Sequence, residues 1–366
     1  MELKKRIGIW LAATLFCFAM QCKTVRDMHS AMPEAVVFSS TSGMGVSVKQ
    51  VETTFDRAAA VGEQTGAIAF LPSMQETEGR LLTATSNYAA AVGMRFCAGG
   101  WFGPDAVLQH RAFAVIPDTL ALDLLGSDQV VGAELLIQGE YYQVCGIYRT
   151  DRRFLPKICT GELPRVYVSR SSGRDGAEEA LATELLIWSE KESTLEQLRE
   201  TAQSAAGSVL SGRVQDLRCA RQFAVQLCLF TVIGAGAWPL LRWVNRGIEA
   251  LIGFCRQQDK TPRRAACQIG CALWGLAGPL VAVWGVSRLV RLPQSWLPSE
   301  QLFDWKWYLE RMLTFYQALF SDPQQYRTLT GCYLPLIAAW GMAALLCCLA
   351  MEQWLFYTFS RKQNML

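Results

Sequence analysis

Histidines and paired carboxylates are the side chains that acid–base or nucleophilic chemistry would need, and both are sparse in this sequence. His29 and His110 are the only histidines among 366 residues. This excludes a histidine-rich metal site and leaves little for a Ser-His-Asp arrangement. Carboxylate pairs such as Glu76 and Glu78 are typical of solvated surface, and nothing marks them as an acid–base couple. The sequence therefore predicts no catalytic residue and no metal ligand.

The sequence also has no phosphate-binding loop. The pattern G-x-x-x-x-G-K-(S/T), in which backbone N–H groups and a lysine hold the phosphates, occurs nowhere in the chain. We expect no cofactor in this chain and no ATP bound in that manner. If the chain takes part in ATP-driven transport, the ATP hydrolysis must come from a separate protein.

The cysteines are numerous but dispersed, and no spacing resembles a metal site. Several lie in or beside apolar stretches, where cysteine acts as a small apolar residue. Cys97, Cys145 and Cys159 lie in the long polar part of the chain, and whether two of them form a disulfide stays open. We predict structural roles for the cysteines.

Four uncharged apolar stretches dominate the hydropathy pattern: 7–22, 223–241, 265–287 and 328–351. A hydrocarbon core about 30 Å thick needs on the order of 20 apolar helical residues to cross it, and the last three stretches reach that length. The sequence predicts a membrane protein of mixed α and β structure. It would have four transmembrane helices, one N-terminal and three C-terminal, with a mixed α/β extracytoplasmic domain inserted after the first.

The first stretch is open to two interpretations. Its basic start and short apolar centre are also features of a signal peptide. The residues from Phe18 to Cys22 fit neither a small-x-small cleavage site nor a lipoprotein box, and Lys23 and Arg26 could snorkel to lengthen a span. We expect residues 1–25 to form a retained N-terminal transmembrane helix.

Basic residues predict the orientation. The loop 242–264 and both chain ends are rich in lysine and arginine, and the positive-inside rule makes that side cytoplasmic. The domain 26–221 and the loop 289–327 would then lie outside an inner or plasma membrane. The net charge of +3 reflects this topology, so we expect no nucleic-acid partner.

Periodicity predicts mixed elements in the outer domain. Strands are expected at 35–39, 67–71, 81–85 and 111–116, and a hairpin joins 134–137 to 141–144 through Gln138-Gly139-Glu140. Helices are expected at 46–61, 117–125 and 194–210. The last leads towards the second span, which predicts a stalk helix over 194–221.

A run of residues in this domain resembles a known family. Ile116-Pro117-Asp118-Thr119-Leu120-Ala121 leads into the two-glycine loop 124–132 and the hairpin 136–147, which ends in Val-Cys-Gly-Ile. This order resembles the periplasmic core domain of MacB/FtsX-like ABC transporter permeases, and Gly99-Gly100-Trp101-Phe102 resembles a segment that precedes it there. The resemblance implies an FtsX-like permease domain over 222–366.

Four glycines in the matching run have backbone roles of their own. Gly126 and Gly132 bracket a turn between helix and strand, and Gly139 permits the hairpin. Gly146 is expected at a bulge or a close approach of two backbones. We interpret these glycines as a structural motif of the core domain and not as substrate contacts.

Family members carry a short helix after the second span that receives force from an ATPase, and 245–256 resembles it loosely. Its apolar stripe and neighbouring charges are the candidate coupling residues: Arg246, Ile248, Glu249, Leu251, Ile252 and Cys255. The alternatives are a cytoplasmic extension of the second span and a helix lying on anionic lipid.

In the outer loop, aromatic residues predict an interfacial belt. The alternative there is an amphipathic helix over 304–320 that contacts lipid or a lipophilic cargo.

The resemblance implies a permease subunit that works with a separate cytoplasmic ABC ATPase, which would bind ATP and magnesium. Hydrolysis would move the extracytoplasmic domain, by mechanotransmission, export or extraction of an envelope or lipophilic substrate. A homodimer, or a heterodimer with a related permease, would sit in the lipid bilayer. The alternative is an extracytoplasmic interaction or signalling module that regulates an envelope enzyme without transport.

Overall fold

The computed structural model of the chain describes most of its residues and divides them into two compact units. One unit comprises 29–220 and 322–330, and the other comprises 1–28, 221–321 and 331–366. The described residues are 2–40, 46–54, 57–70, 75–127, 130–160, 163–169, 181–188, 195–206, 213–256, 285, 288, 304–321 and 325–363.

Twelve strands and ten helices are described. The helices are α1 Glu2–Ala31, α2 Val48–Thr54, α3 Tyr88–Val92, α4 Pro104–Leu108, α5 Asp118–Leu125, α6 Phe154–Thr160, α7 Leu195–Ala206, α8 Leu217–Arg256, α9 Trp305–Ser321 and α10 Gln325–Gln363. The strands are β1 Val36–Ser39, β2 Val46–Ser47, β3 Ala58–Phe70, β4 Gln75–Ala84, β5 Phe96–Gly99, β6 Phe113–Pro117, β7 Glu134–Ile137, β8 Glu140–Tyr148, β9 Arg165–Val168, β10 Leu181–Ala182, β11 Glu184–Ile187 and β12 Arg213–Asp216.

The main sheet contains ten strands and closes on itself in part. Its order is β12-β1-β11-β3-β4-β9-β6-β8-β5. β7 pairs with both β3 and β8, so β3, β4, β9, β6, β8 and β7 form a closed ring of strands. β3 is long enough to pair with β11 near its start and with β7 near its end. The short strands β2 and β10 form a separate pair.

The domain core lies between this ring and the apolar side of α5. Ile68, Ile137, Tyr142 and Ile147 from the ring are fully buried in it. α5 adds three buried residues, among them Leu120. Burial of each such side chain contributes roughly 1.5–3 kcal/mol, which makes the ring and α5 one folding unit.

Asp118, from the family-like run, ties α5 to the strand beside it. Its Oδ1 accepts hydrogen bonds from the backbone N–H groups of Thr119 (3.0 Å) and Thr150 (2.9 Å), and Arg152 lies 3.2 Å from Oδ2. Burial favours a higher pKa for Asp118, but the hydrogen bonds from Thr150 and Arg152 outweigh it and hold the pKa below its usual value.

The hairpin prediction is confirmed. Ile137 pairs with Glu140, so β7 and β8 are joined by the two residues Gln138 and Gly139. Both have positive φ angles, 50° and 88°, which is the type I′ geometry that matches the twist of the flanking strands. The predicted strands at 35–39, 67–71, 81–85 and 111–116 correspond to β1, the end of β3, β4 and β6.

Two predicted helices need correction. The helix expected at 46–61 is described only over Val48–Thr54, and Ala58 to Val61 belong to β3. Those residues lie between β11 and β4, so pairing on both sides overrides their helical spacing.

The predicted stalk helix over 194–221 is wrong. α7 ends at Ala206, and Arg213–Asp216 form β12, which pairs with β1. Leu198 and Ala202 of α7 are buried, because its apolar side packs within the domain.

A bulge in β8 explains the glycine at position 146. Val144 pairs with Ala114, but the next pair on β6 joins Val115 to Gly146, so Cys145 is an extra residue. The bulge turns Ile147 into the core after Tyr142 and Val144.

Gly146 also passes very close to the neighbouring chain segment at Gly100. A side-chain carbon at Gly146 would clash with the backbone of Gly100, whose carbonyl oxygen, carbonyl carbon and amide nitrogen are the nearest atoms. Only a residue without a side chain fits this crossing.

We predict that Gly146→Ala destabilises the domain by about 1–3 kcal/mol, because the added methyl group overpacks a backbone crossing that cannot move. Thermal unfolding of the detergent-solubilised chain measures this as a lower Tm. Gly103→Ala is the matched control, since Gly103 has an ordinary φ of −82° and open space around it. Equal Tm values for the two variants would contradict the prediction.

Among the described residues, three helices are long and apolar enough to cross a membrane: Gly8–Ala31, Leu217–Gly236 and Thr328–Trp354. They belong to α1, α8 and α10. The predicted span at 265–287 lies outside the described residues, apart from Gly285. The fourth span therefore stays a prediction.

A polar contact joins these three helices. Gln21 Nε2 of α1 donates a hydrogen bond to Thr231 Oγ1 of α8 at 2.9 Å. Gly341 of α10 lies against both side chains, and a Cβ there would clash with them. The contact brings α10 close to α1 and α8, in the way that glycine and hydrogen-bonding residues join helices in membranes.

We predict that Cys22 and Cys228 can be oxidised to a disulfide, because their side chains are in hydrogen-bond contact between α1 and α8. The test uses a variant that keeps only these two cysteines and carries a protease site near residue 175. After oxidation with copper phenanthroline and cleavage, the two fragments should stay joined until a reductant is added.

The control variant keeps only Cys22 and Cys219, in place of Cys22 and Cys228. Fragments of the Cys22/Cys228 variant that separate after oxidation would show that the first apolar helix is cleaved off or does not pack on α8.

Candidate functional site

The domain is joined to the apolar helices at three places, and these lie together. Met32 follows α1, Leu217 begins α8, and Tyr326 and Thr330 lie in the first turns of α10. All of these residues belong to the compact unit that contains the domain. We call the set Met32, Ala35, Gln215, Leu217, Tyr326 and Thr330 the junction.

Backbone hydrogen bonds connect the first two places. β1 and β12 are antiparallel neighbours, with Val36 opposite Asp216. The N–H of Leu217 donates to the carbonyl oxygen of Ala35 at 3.2 Å. The last residues before α8 are therefore fixed to the first residues after α1.

Asp216 makes the start of α8 rigid. Its Oδ1 accepts hydrogen bonds from the backbone N–H groups of Arg218 (3.0 Å) and Cys219 (3.2 Å), which otherwise have no partner in the first turn of a helix. A negative charge here also interacts favourably with the positive end of the helix dipole. α8 thus begins directly at the edge strand of the sheet, with no flexible linker.

The third place is held by side chains. Gln215 Nε2 donates to Thr330 Oγ1 at 3.4 Å. Thr330 in turn lies 4.0 Å from Met32 Sδ and donates to the carbonyl oxygen of Tyr326 at 2.8 Å. Thr330, Met32 and Tyr326 are all buried. The first turns of α10 are therefore packed against both other connections.

A buried aromatic and charged cluster lies next to the junction. Tyr326 hydrogen-bonds to Tyr88, and Tyr167 hydrogen-bonds to Tyr88 and Arg165. The rings of Tyr88 and Tyr167 are 5.5 Å apart. Burial raises the pKa of each of these three tyrosines, so all three stay protonated and can donate hydrogen bonds.

Glu184 is the acidic group of this cluster. Burial raises the pKa of its carboxyl group, Glu63 raises it further, and Arg165 opposes the rise. Arg165 is the nearby cation and also interacts with Tyr326. Hydrogen bonds and opposite charges in such a buried network strengthen one another, which favours one defined arrangement of the side chains.

The predicted coupling residues lie far along α8 from this junction. α8 is one helix from Leu217 to Arg256, and the candidate segment is its last part. Ile248, Glu249 and Ile252 are exposed. The side chains of Arg246, Leu251 and Cys255 lie outside the described set. Ile248 and Ile252 are four residues apart and share one side of the helix.

The structural glycines take up the backbone positions seen in the fold. Gly126 ends α5 with a φ of 69°, Gly132 has a φ of 95°, and Gly139 and Gly146 lie in the hairpin and at the bulge. None of the four lies at the junction or on the coupling segment of α8.

The other candidate residues give no chemical site among the described parts of the chain. Cys97 and Cys145 are free thiols, and burial raises the pKa of Cys145 to about 11, so its thiol is unreactive at neutral pH. The side chain of Cys159 lies outside the described set. Within that set no group of histidine, cysteine and carboxylate side chains could hold a metal.

A family model described as the MacB-like periplasmic core domain matches residues 7–205, which is more than half of the chain. The chain belongs to this family. The mixed α/β unit is therefore a MacB-like periplasmic core domain. Together with the three apolar helices, it indicates an inner-membrane protein.

Solved structures of such domains are similar to part of the chain. The periplasmic region of MacB from Actinobacillus actinomycetemcomitans is 9% identical, with a TM-score of 0.42, over 55% of this chain and 97% of that one. The extracellular domain of the noncanonic ABC-type transporter YknZ from Gram-positive bacteria is 13% identical, with a TM-score of 0.35, over 49% and 92%. No curated protein matches the chain at a significant level.

Sequence reasoning missed the junction. Its residues come from three parts of the chain, and β1 and β12 are separated by most of the domain, so no local pattern predicts their pairing. One signal was available for the helix packing: Gln21 is a lone amide in an apolar helix, and such residues usually bond to a neighbouring helix.

We predict that Tyr326→Ala destabilises the MacB-like domain of the whole chain by about 3–5 kcal/mol, because it empties a buried aromatic site. Tyr326→Phe should cost about 1–3 kcal/mol, because Tyr88 then loses a hydrogen-bond partner. Thermal unfolding in detergent gives both values. Tyr141→Ala is the matched control, since Tyr141 is 57% exposed and Tyr326 only 5%. The same Tm for both alanine variants would contradict the role of Tyr326.

Proposed function

We propose that this chain is the permease subunit of an ABC transporter-like complex in which a separate cytoplasmic ATPase supplies the energy. ATP and magnesium would be held by that partner. The chain would pass the resulting movement to its MacB-like domain outside the membrane, and so drive export or extraction of an envelope or lipophilic substrate.

The continuity of α8 is the observation that carries this proposal. The helix has 40 residues and is therefore about 60 Å long, about twice the thickness of the hydrocarbon core. It begins at β12, where Asp216 caps it, and it includes the candidate coupling segment. A single helix of this length suits the transfer of a displacement from the cytoplasmic side to the edge strand of the sheet, although Pro239 in its interior removes one backbone hydrogen bond.

The junction supports the outer half of the proposal. A movement of α8 reaches β1 through the β1–β12 hydrogen bonds, and it reaches the start of α10 through Gln215 and Thr330. Because α1 and α10 are connected at the same place, the three helices would act on the domain together.

Ile248 and Ile252 are our candidates for the ATPase contact. They are 42% and 47% exposed, and Glu249 lies exposed beside them. Two neighbouring apolar side chains on an exposed helix suit a hydrophobic groove on a partner. A second permease chain, identical or related, would complete the complex.

We predict that a tagged, detergent-solubilised chain purified from its native cell brings an ABC ATPase with it in stoichiometric amount. The double variant Ile248→Asp/Ile252→Asp should recover at least about tenfold less ATPase, because it places unpaired carboxylates in the contact. Quantitative mass spectrometry of the co-purified proteins measures both.

Leu122→Asp is the matched control, because Leu122 is 48% exposed and lies on α5 in the MacB-like domain. If an ATPase co-purifies equally with all variants, the contact lies elsewhere on the chain. If an envelope enzyme co-purifies and no ATPase does, the chain is an interaction module.

A further inference from the structure

Helix α9 has an uncovered apolar face that the ATPase-driven function does not account for. Trp305 is 79% exposed, and Leu309, Met312 and Leu313 are 61%, 60% and 52% exposed. Their spacing of i, i+4, i+7 and i+8 places all four on one side of the helix. We call these four residues the α9 face.

The other sides of α9 carry exposed polar residues together with the half-buried rings of Trp307 and Tyr308. Lys306 and Glu310 form an exposed ion pair at 4.0 Å, and Thr314 is exposed. Asp304 caps the helix, because its Oδ1 accepts hydrogen bonds from the N–H groups of Lys306 (3.0 Å) and Trp307 (3.2 Å). α9 is thus a well-started amphipathic helix of 17 residues.

The chain keeps the end of α9 close to the start of the apolar span of α10. α9 ends at Ser321, α10 begins at Gln325, and the apolar span of α10 begins at Thr328. Four residues reach at most about 14 Å, so the end of α9 cannot lie far from the point where α10 enters the membrane. Residues 322–330 belong to the same compact unit as the MacB-like domain, so this entry point lies on the domain's side.

We propose that α9 lies in the plane of the outer membrane surface, with the α9 face inserted among phospholipid acyl chains. The arrangement has the features of an interfacial helix: an apolar side, a charged side that stays in water, and aromatic residues at headgroup depth. The partner is the lipid bilayer itself. This contact does not depend on an ATPase, and it would fix the depth at which α10 leaves the junction and enters the membrane.

Photo-crosslinking in the full chain tests the proposal. Met312 on the α9 face, or Thr314 on the polar side, is replaced by p-benzoylphenylalanine, and native membranes are irradiated. Mass spectrometry of the purified chain then measures adducts with phospholipid. We expect about tenfold more lipid adduct at position 312 than at position 314, because only the first lies among acyl chains.

Three results would overturn the proposal: equal lipid adducts at both positions, no lipid adduct at either, or an adduct at position 312 with a second copy or another protein in place of lipid. Both positions are exposed, so neither substitution disturbs a packed side chain, and equal amounts in the membrane fraction check this. If the variant at position 312 does not accumulate, Leu309 and Glu310 provide the same comparison. The failure of the ATPase pull-down would leave this result unaffected.

Discussion

The hydrogen-bonded pairing of β1 with β12 is the constraint on which the other features depend. It is made by backbone groups, so it holds the two strands in one register whatever the side chains are. It brings the end of α1 and the start of α8 to one edge of the sheet, and Thr330 adds the start of α10 through Gln215. Among the described residues, the end of the segment after α1, the start of α8 and the first turns of α10 therefore lie together.

Among the apolar helices a different force has to provide specificity. Lipid chains are as apolar as leucine, so hydrophobic burial does not select which helices associate. The hydrogen bond between Gln21 and Thr231 is directional, and Gly341 lies directly against both side chains. These two features provide the specificity that hydrophobic burial does not. The pattern parallels the domain, where Gly146 passes the backbone of Gly100 at a distance that leaves no room for a side chain at position 146. In both units, specificity comes from a few positions where backbones approach closely.

Local signals predicted much of the domain and little of the site. The hairpin at Gln138-Gly139 could be predicted because the turn depends only on neighbouring residues. The helical spacing of the 304–320 segment is also a local pattern, and α9 lies within one residue of that segment. The helix predicted over Ala58 to Val61 was wrong because alanine is tolerated in a central strand whose two neighbouring strands, here β11 and β4, both pair with it. The stalk prediction failed because α7 uses its apolar side inside the domain. The junction depends on pairings between distant parts of the chain, which periodicity in a single sequence does not contain.

The direction of the β1–β12 pair has a mechanical consequence. Val36 and Asp216 are opposite each other at the end of the ladder that leads to α1 and α8. Forces that spread the two helices would load this end first, so the bonds would open one after another, as in a zipper. Forces that move both helices together displace the two strands as one block, so the bonds between the strands carry little relative load and stay closed. The connection between β1 and β12 therefore opens easily when α1 and α8 are pulled apart, and it stays intact when the two helices move together.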